Sequence, residues 1–169
     1  MGRCELTLAR WEDIPRYMQI LGEGRAFQRA QGFVQWPDGY PRQEAVEADV
    51  QNGNGYALLA DGQLAGYFHL GFDGDPAYPA IIGAWRFQGP YAVVHRIAIS
   101  DAFRGQGLTG EVFRLIEDLA KARSVEVLRI DTHAENQRMR HVVEKNGFAF
   151  CGKVIQSDGW RLAFDKKIV

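Results

Sequence analysis

Seven consecutive residues, Arg104, Gly105, Gln106, Gly107, Leu108, Thr109 and Gly110, follow an apolar run, VVHRIAIS at 93 to 100, and open a segment of helical spacing. Small residues ahead of a helix let backbone N–H groups converge on an anion, and the helix aims the positive end of its dipole at the same point. The chemistry implied is capture of a ligand that carries a pyrophosphate. The same stretch also spells GxGxxG through Gly105, Gly107 and Gly110, with Asp131 ending a later strand-like run, which is the pattern of a dinucleotide site. Two features weigh against that alternative. Asp101 to Arg104 separate the first glycine from its strand, and beyond Asp131 the chain holds only one helix pattern and a hairpin, too few units for a dinucleotide fold.

The elements that must position this stretch can be read from periodicity. Cys4, Leu6 and Leu8 alternate as in a strand, and Trp11, Ile14, Tyr17, Met18 and Leu21 then recur at helical spacing, with Gly22 and Gly24 expected to stop that helix. An aromatic, broken segment follows to Pro41, then a short helix from about Arg42 to Val50. YALLA at 56 to 60 and QLAGYFHL at 63 to 70 flank Asp61 and Gly62, the pair that best tolerates the two positive φ values of a type I′ hairpin turn. Residues 71 to 89 are too mixed to assign beyond a loop with room for a short strand.

From Tyr91 to Ile99 apolar residues dominate on both faces, as in a central buried strand. Leu108, Val112, Leu115, Ile116 and Leu119 form one stripe of the following helix, and VEVLRID at 125 to 131 is the next strand, so a parallel crossover is expected. Asn136 is placed to cap a second helix whose buried face is Met139, Val142 and Val143. FAFCGKVIQ and WRLAFDKKI then pair across a turn at 157 to 159, with Trp160, Leu162 and Phe164 expected as the buried face of the last strand. The sum is a mixed α/β sheet with antiparallel N-terminal strands and a central parallel crossover.

The chain has 169 residues, 46% hydrophobic and 24% charged, which suits a single domain spanning 1–169. A formal charge of -1 and a pI near 6.4 offer no broad attraction to nucleic acid or to anionic lipid. Cys4 and Cys151 lack CxxC spacing or a nearby histidine pair, so no metal site and no disulfide framework is expected, and reduced thiols suit the cytoplasm. MGRCELTLAR has no apolar leader core and no later run approaches bilayer length, so neither export nor a membrane partner is expected.

With RGQGLTG after a buried strand and NQRMRHVVEKNGF at 136 to 148 after the next, the chain resembles the GNAT N-acetyltransferase family over most of its length. That family's acyl-CoA signature is Q or R, two residues, G, one residue, then G or A; Arg104 and Gly107 match it and Thr109 stands at the last position. The resemblance implies acetyl-CoA as cosubstrate. It implies further that the strand before the glycine turn splays from its parallel neighbour, so that backbone groups of Ile97, Ala98 and Ile99 bind the pantetheine arm and polarise the thioester carbonyl. Asn136 would touch the cofactor as well as cap its helix. Where several members carry a proton-donating tyrosine, this chain has Val143.

The implied reaction is direct attack of a primary amine, from a small molecule or peptide, on the thioester, with a homodimer compatible with the pattern. An alkylammonium has a pKa near 10, so a base should help, and imidazoles titrate in the useful range. His95 is the first candidate and His133 the second; His69 and His141 rank below them. Phe33, Trp36 and Tyr40 are candidates to wall an amine pocket, with Asp73 or Asp75 offering charge to a cation. A catalytically silent acyl-CoA-binding module is the competing reading.

Overall fold

The computed structural model describes residues 2–168. In chain order the elements are β1 (Cys4–Leu8), α1 (Ile14–Ala30), α2 (Gln43–Gln51), β2 (Gly55–Ala60), β3 (Gln63–Gly71), β4 (Ile82–Gly83), β5 (Tyr91–Ile99), α3 (Leu108–Ala122), β6 (Val127–Thr132), α4 (Gln137–Lys145), β7 (Ala149–Gln156) and β8 (Gly159–Lys167). Two compact units emerge, one comprising the chain to Leu70 with His95–Leu115, the other Gly71–Val94 with the chain from Ile116. The class is mixed α/β, as the periodicity implied. Among the described residues no helix is long and apolar enough to cross a membrane.

In the first unit β1, β2 and β3 are antiparallel neighbours, and the last residues of β5 follow β3 in strand order. The β2–β3 turn is Asp61 and Gly62 with φ of 50° and 80°, the left-handed pair expected of this dipeptide. Ile14, Tyr17, Leu21, Trp36, Val46 and Ala98 are buried in one cluster. Helix α1 runs through Gly22 and Gly24 to Ala30 instead of stopping at them. The reason is packing. A Cβ on Gly24 would lie 3.2 Å from both the Ala98 Cβ and the Trp36 ring, so the missing side chain lets the helix lie close to β5 rather than end.

The second unit contains the parallel β5–β6 pairing, then β6–β8, β8–β7 and β7–β4, all antiparallel. Its core includes Tyr78, Trp85, Val93, Val154 and Ala163, so the unassigned stretch at 71 to 89 supplies core aromatics and the short strand β4. Strand β6 begins at Val127, not Val125, because the Val125 amide donates to Ala120 O at 2.9 Å and belongs to the close of α3.

The buried face of β8 also differs from expectation. Trp160 is 51% exposed, whereas Arg161, Ala163 and Asp165 are buried beside Phe164. Asp165 accepts from the Arg86 amide at 2.8 Å and its Nε at 2.6 Å, and Arg161 pairs with Asp158 at 2.6 Å. Paired charges can be buried where isolated ones cannot, so polar residues need not mark the solvent face.

Because α1 is continuous, its two glycines should respond oppositely. Gly22→Ala, with only the Arg25 tip near its added methyl, should raise the unfolding free energy by about 0.5–1 kcal/mol. Gly24→Val should lower it by about 1–3 kcal/mol through overpacking. Urea unfolding reads both, and no gain for Gly22→Ala would contradict the continuous helix.

Candidate functional site

Strand β5 enters the first unit with a kink. Arg96 has φ 52°, a left-handed value that is costly for a residue with a side chain. Its guanidinium is fixed on Asp49 of α2, Nε to Oδ2 at 3.1 Å and Nη2 to Oδ1 at 2.6 Å. The Tyr67 hydroxyl donates to Asp49 Oδ2 at 2.6 Å, and His69 Nδ1 lies 2.9 Å from Oδ1. Asp49 is 4% exposed. Burial pushes its carboxyl up, but the hydrogen bonds from His69, Arg96 and Tyr67 outweigh that and hold it below the usual carboxylate range. Burial lowers the His69 imidazole, and Asp49 offsets only part of this against the charge of Arg96.

Beyond the kink, Ser100 N donates to Ala65 O at 2.8 Å, and the chain turns under the control of α1: Asp101 N donates to Glu23 Oε1 at 2.8 Å. Arg104 does not stand free at the turn. Its Nη2 meets Asp101 Oδ1 at 2.5 Å and its guanidinium lies 3.8 Å from the Phe27 ring centroid. Gly105 and Gly107 have φ of 82° and 75°, and a Cβ built on either meets nothing within 4 Å. Gly105, Gln106 and Gly107 are exposed, while Leu108 anchors the start of α3 at 3% exposure. Thr109 and Gly110 lie in its first turn, half-buried. Ile97 is half-buried, and Ala98 and Ile99 are buried.

One unit therefore brings Ile97–Ile99 and Arg104–Gly110 together. The first amides of any helix lack intrahelical acceptors, and here they begin beside open space over two left-handed glycines. These residues fit a pyrophosphate.

In the second unit, the β5–β6 ladder among the described residues covers Tyr91–Val127 to Val93–Arg129 only, although β5 continues to Ile99. His133 and Asn136 shape the turn after β6. His133 Nδ1 accepts from the Glu135 amide at 3.1 Å, and Asn136 Oδ1 caps α4 by accepting from Met139 N at 3.1 Å. Val143 is fully buried. Asp131, the acid of the dinucleotide alternative, accepts from Tyr78 Oη at 2.8 Å and Gln156 Nε2 at 3.0 Å. Asp75 accepts from Ala77 N at 2.8 Å. Phe33 and Trp36 are core residues at 4% and 6% exposure, with Tyr40 packed against the same cluster.

A family model described as the acetyltransferase (GNAT) family matches residues 22–148. The chain belongs to that family. A GNAT-family acetyltransferase from Streptococcus agalactiae is 35% identical, with 98% of this chain and 96% of that one covered and a TM-score of 0.88. The PaiA N-acetyltransferase of Thermoplasma acidophilum, solved with coenzyme A, is 15% identical over 98% of this chain and 99% of its own, with a TM-score of 0.74. An acetyltransferase of Salmonella typhimurium that modifies the N-terminal serine of ribosomal protein L7/L12 is 17% identical, covers 98% and 95%, and has a TM-score of 0.69. No curated protein matches. As a GNAT acetyltransferase, the protein transfers acetyl groups, and acetyl-CoA is its cosubstrate.

Sequence reasoning ranked His69 low because nothing near it in the chain marks it. Its partners, Asp49 and Arg96, lie 20 and 27 residues away, and no local spacing carries that signal.

Asp49→Asn should cost about 3 kcal/mol, the low end for one partner of a buried ion pair, since the Arg96 side chain keeps 17% exposure. Because the folded pKa of Asp49 is depressed, its contribution is present above the unfolded value of about 3.9 and is lost as pH falls toward the folded one. The variant should therefore lose stability less steeply in acid; an unaltered acid limb by urea titration would refute the assigned role.

Proposed function

We propose that this acetyltransferase moves the acetyl group of acetyl-CoA to a primary amine of a small molecule or peptide, by direct attack in a ternary complex. The observation that supports it most is the kinked strand running into an open glycine turn at a helix start. On this reading the amides of Arg104, Gly105, Gln106, Gly107, Leu108, Thr109 and Gly110 hold the pyrophosphate, with Arg104 released from Asp101 or left stacked on Phe27. The backbone of Ile97, Ala98 and Ile99 holds the pantetheine arm, and one amide there faces the carbonyl oxygen where negative charge develops. A donor already fixed in place needs little reorganisation, and losing one costs about 10²–10³ in turnover in other enzymes. Asn136 adds a contact besides its cap.

Acetyl-CoA supplies the acetyl group as an activated thioester. His95, two residues before Ile97, takes the proton of the bound ammonium so that the nitrogen carries a free lone pair. His133 is the second candidate, although its Nδ1 already accepts the Glu135 amide. Buried Val143 offers no proton to the leaving thiolate, and by analogy with cysteine, whose thiol has a pKa of about 8.5, the thiolate is stable enough to depart without one. We place the protein in the cytoplasm as one catalytic domain; its acceptors include the N-terminal amine of a polypeptide, since the Salmonella neighbour modifies the N-terminal serine of ribosomal protein L7/L12.

Release of CoA thiol on screening amines, polyamines, amino acids and peptides tests the reading. Tight acetyl-CoA binding without acceptor-dependent thiol would favour the silent binding module, and calorimetric binding of NADH alone would revive the dinucleotide alternative. Gly107→Leu puts a side chain into the open space of the cradle at a left-handed φ of 75°, a strain of about 1–3 kcal/mol, so acetyl-CoA should weaken at least about tenfold while urea unfolding still shows a cooperative domain; full affinity would contradict the cradle. His95→Ala should lower turnover by about 10²-fold or more with acetyl-CoA affinity unchanged; an unchanged rate would dismiss it.

A further inference from the structure

Acetylation takes two protons from the nitrogen of an ammonium, one of them balanced by the departing thiolate, and the strand pair β3–β5 carries two imidazoles. His69 of β3 and His95 of β5 have ring centroids 5.5 Å apart. The register is antiparallel, because Ser100 N bonds Ala65 O at one end and Arg96 meets His69 at the other.

The tautomer of His69 follows from its partners. Asp49, ionised and already accepting from Arg96 and Tyr67, has no proton to give, so the 2.9 Å contact requires Nδ1–H to donate to Oδ1. Arg96 Nη2, 3.2 Å from Nδ1, directs its hydrogen to the same carboxylate at 2.6 Å. The lone pair of His69 therefore sits on Nε2. Among the described residues no bond to Nε2 is made, and the side chain keeps 15% exposure. The charged and titratable groups around it are Asp49 from α2, Tyr67 on its own strand through Asp49, and Arg96 and His95 from β5, with Tyr40 against Arg96.

We propose that Nε2 of His69, oriented by Asp49, is a catalytic base that takes the second proton of the acceptor amine. The proposal rests on the acetyl-transfer reading. His95 removes the first proton, from R–NH3+. The nitrogen lone pair then forms the C–N bond at the thioester carbonyl carbon as the C–S bond breaks and sulfur leaves with the pair. The nitrogen, now bonded to the carbonyl carbon, still carries one proton too many for an amide. That proton is far more acidic than an alkylammonium proton, so even an imidazole weakened by burial and by Arg96 accepts it, and Asp49 stabilises the resulting imidazolium. The same burial keeps His69 unprotonated beforehand: its folded pKa lies below the ordinary 6.5, so the free base persists as pH falls through that value. Two neighbouring bases with separate duties avoid asking one imidazole to hold both protons.

His69→Asn keeps an N–H donor toward Asp49 and removes Nε2. Expected are a fall in turnover of about 10²-fold, unchanged acetyl-CoA affinity by calorimetry, and loss of the more acidic ionisation from the pH–rate profile. Activity and pH profile equal to wild type would overturn the proposal while leaving acetyl transfer intact. No thiol release from wild type with any amine would overturn acetyl transfer and this proposal with it. Independently, ¹⁵N spectra of the ligand-free wild type should show His69 as the Nδ1–H tautomer at neutral pH, titrating below 6.5; an Nε2–H tautomer would overturn the assignment without recourse to activity or to the folding of any variant.

Discussion

The ion pair between Arg96 and Asp49 pins a left-handed residue inside a strand, and the candidate site depends on that kink. A non-glycine residue in this region costs about 1–3 kcal/mol and persists only where surrounding contacts over-determine it. Here the contacts are a two-point hydrogen bond to a carboxylate that Tyr67 and His69 also donate to. A buried carboxylate with so many donors has no cheaper alternative than to stay paired, so the strand is held in its irregular course. Within the second unit β5 is an ordinary parallel neighbour of β6; within the first it is the lead-in to a glycine turn.

The turn ahead of α3 is built mostly from backbone. Gly105 and Gly107 contribute backbone shape and clear space, Leu108 ties the helix start into the core, and Glu23 of α1 sets where the turn begins by accepting from Ser100 and Asp101. Arg104, the charged residue of the stretch, is held by Asp101 and Phe27. On the proposed reading, attraction for an anion would come from helix-start amides whose directions are set by the fold.

How much of this was legible in the sequence depended on range. The hairpin at Asp61 and Gly62, the amphipathic stripe of α3 and the Asn136 cap were all readable, since each is decided by neighbours within one turn or one dipeptide. Gly24 was misread as a helix stop because its real partners, Ala98 and Trp36, lie elsewhere in the chain. Trp160 and Arg161 exchanged their expected environments for a similar reason: burial of Arg161 and Asp165 depends on Asp158 and Arg86, and alternation of polar with apolar residues cannot register a charge whose partner is remote.

By itself the sequence determined the family, the glycine turn ahead of α3 and the order of most helices and strands, because those rest on local backbone preference and short motifs. Only the tertiary structure decided the left-handed φ of Arg96, the contact of His69 with Asp49 and the burial of Asp49. These depend on α2, β3 and β5 converging on one carboxylate, and the energy of a buried charge is set by which partners reach it, whatever their distance along the chain.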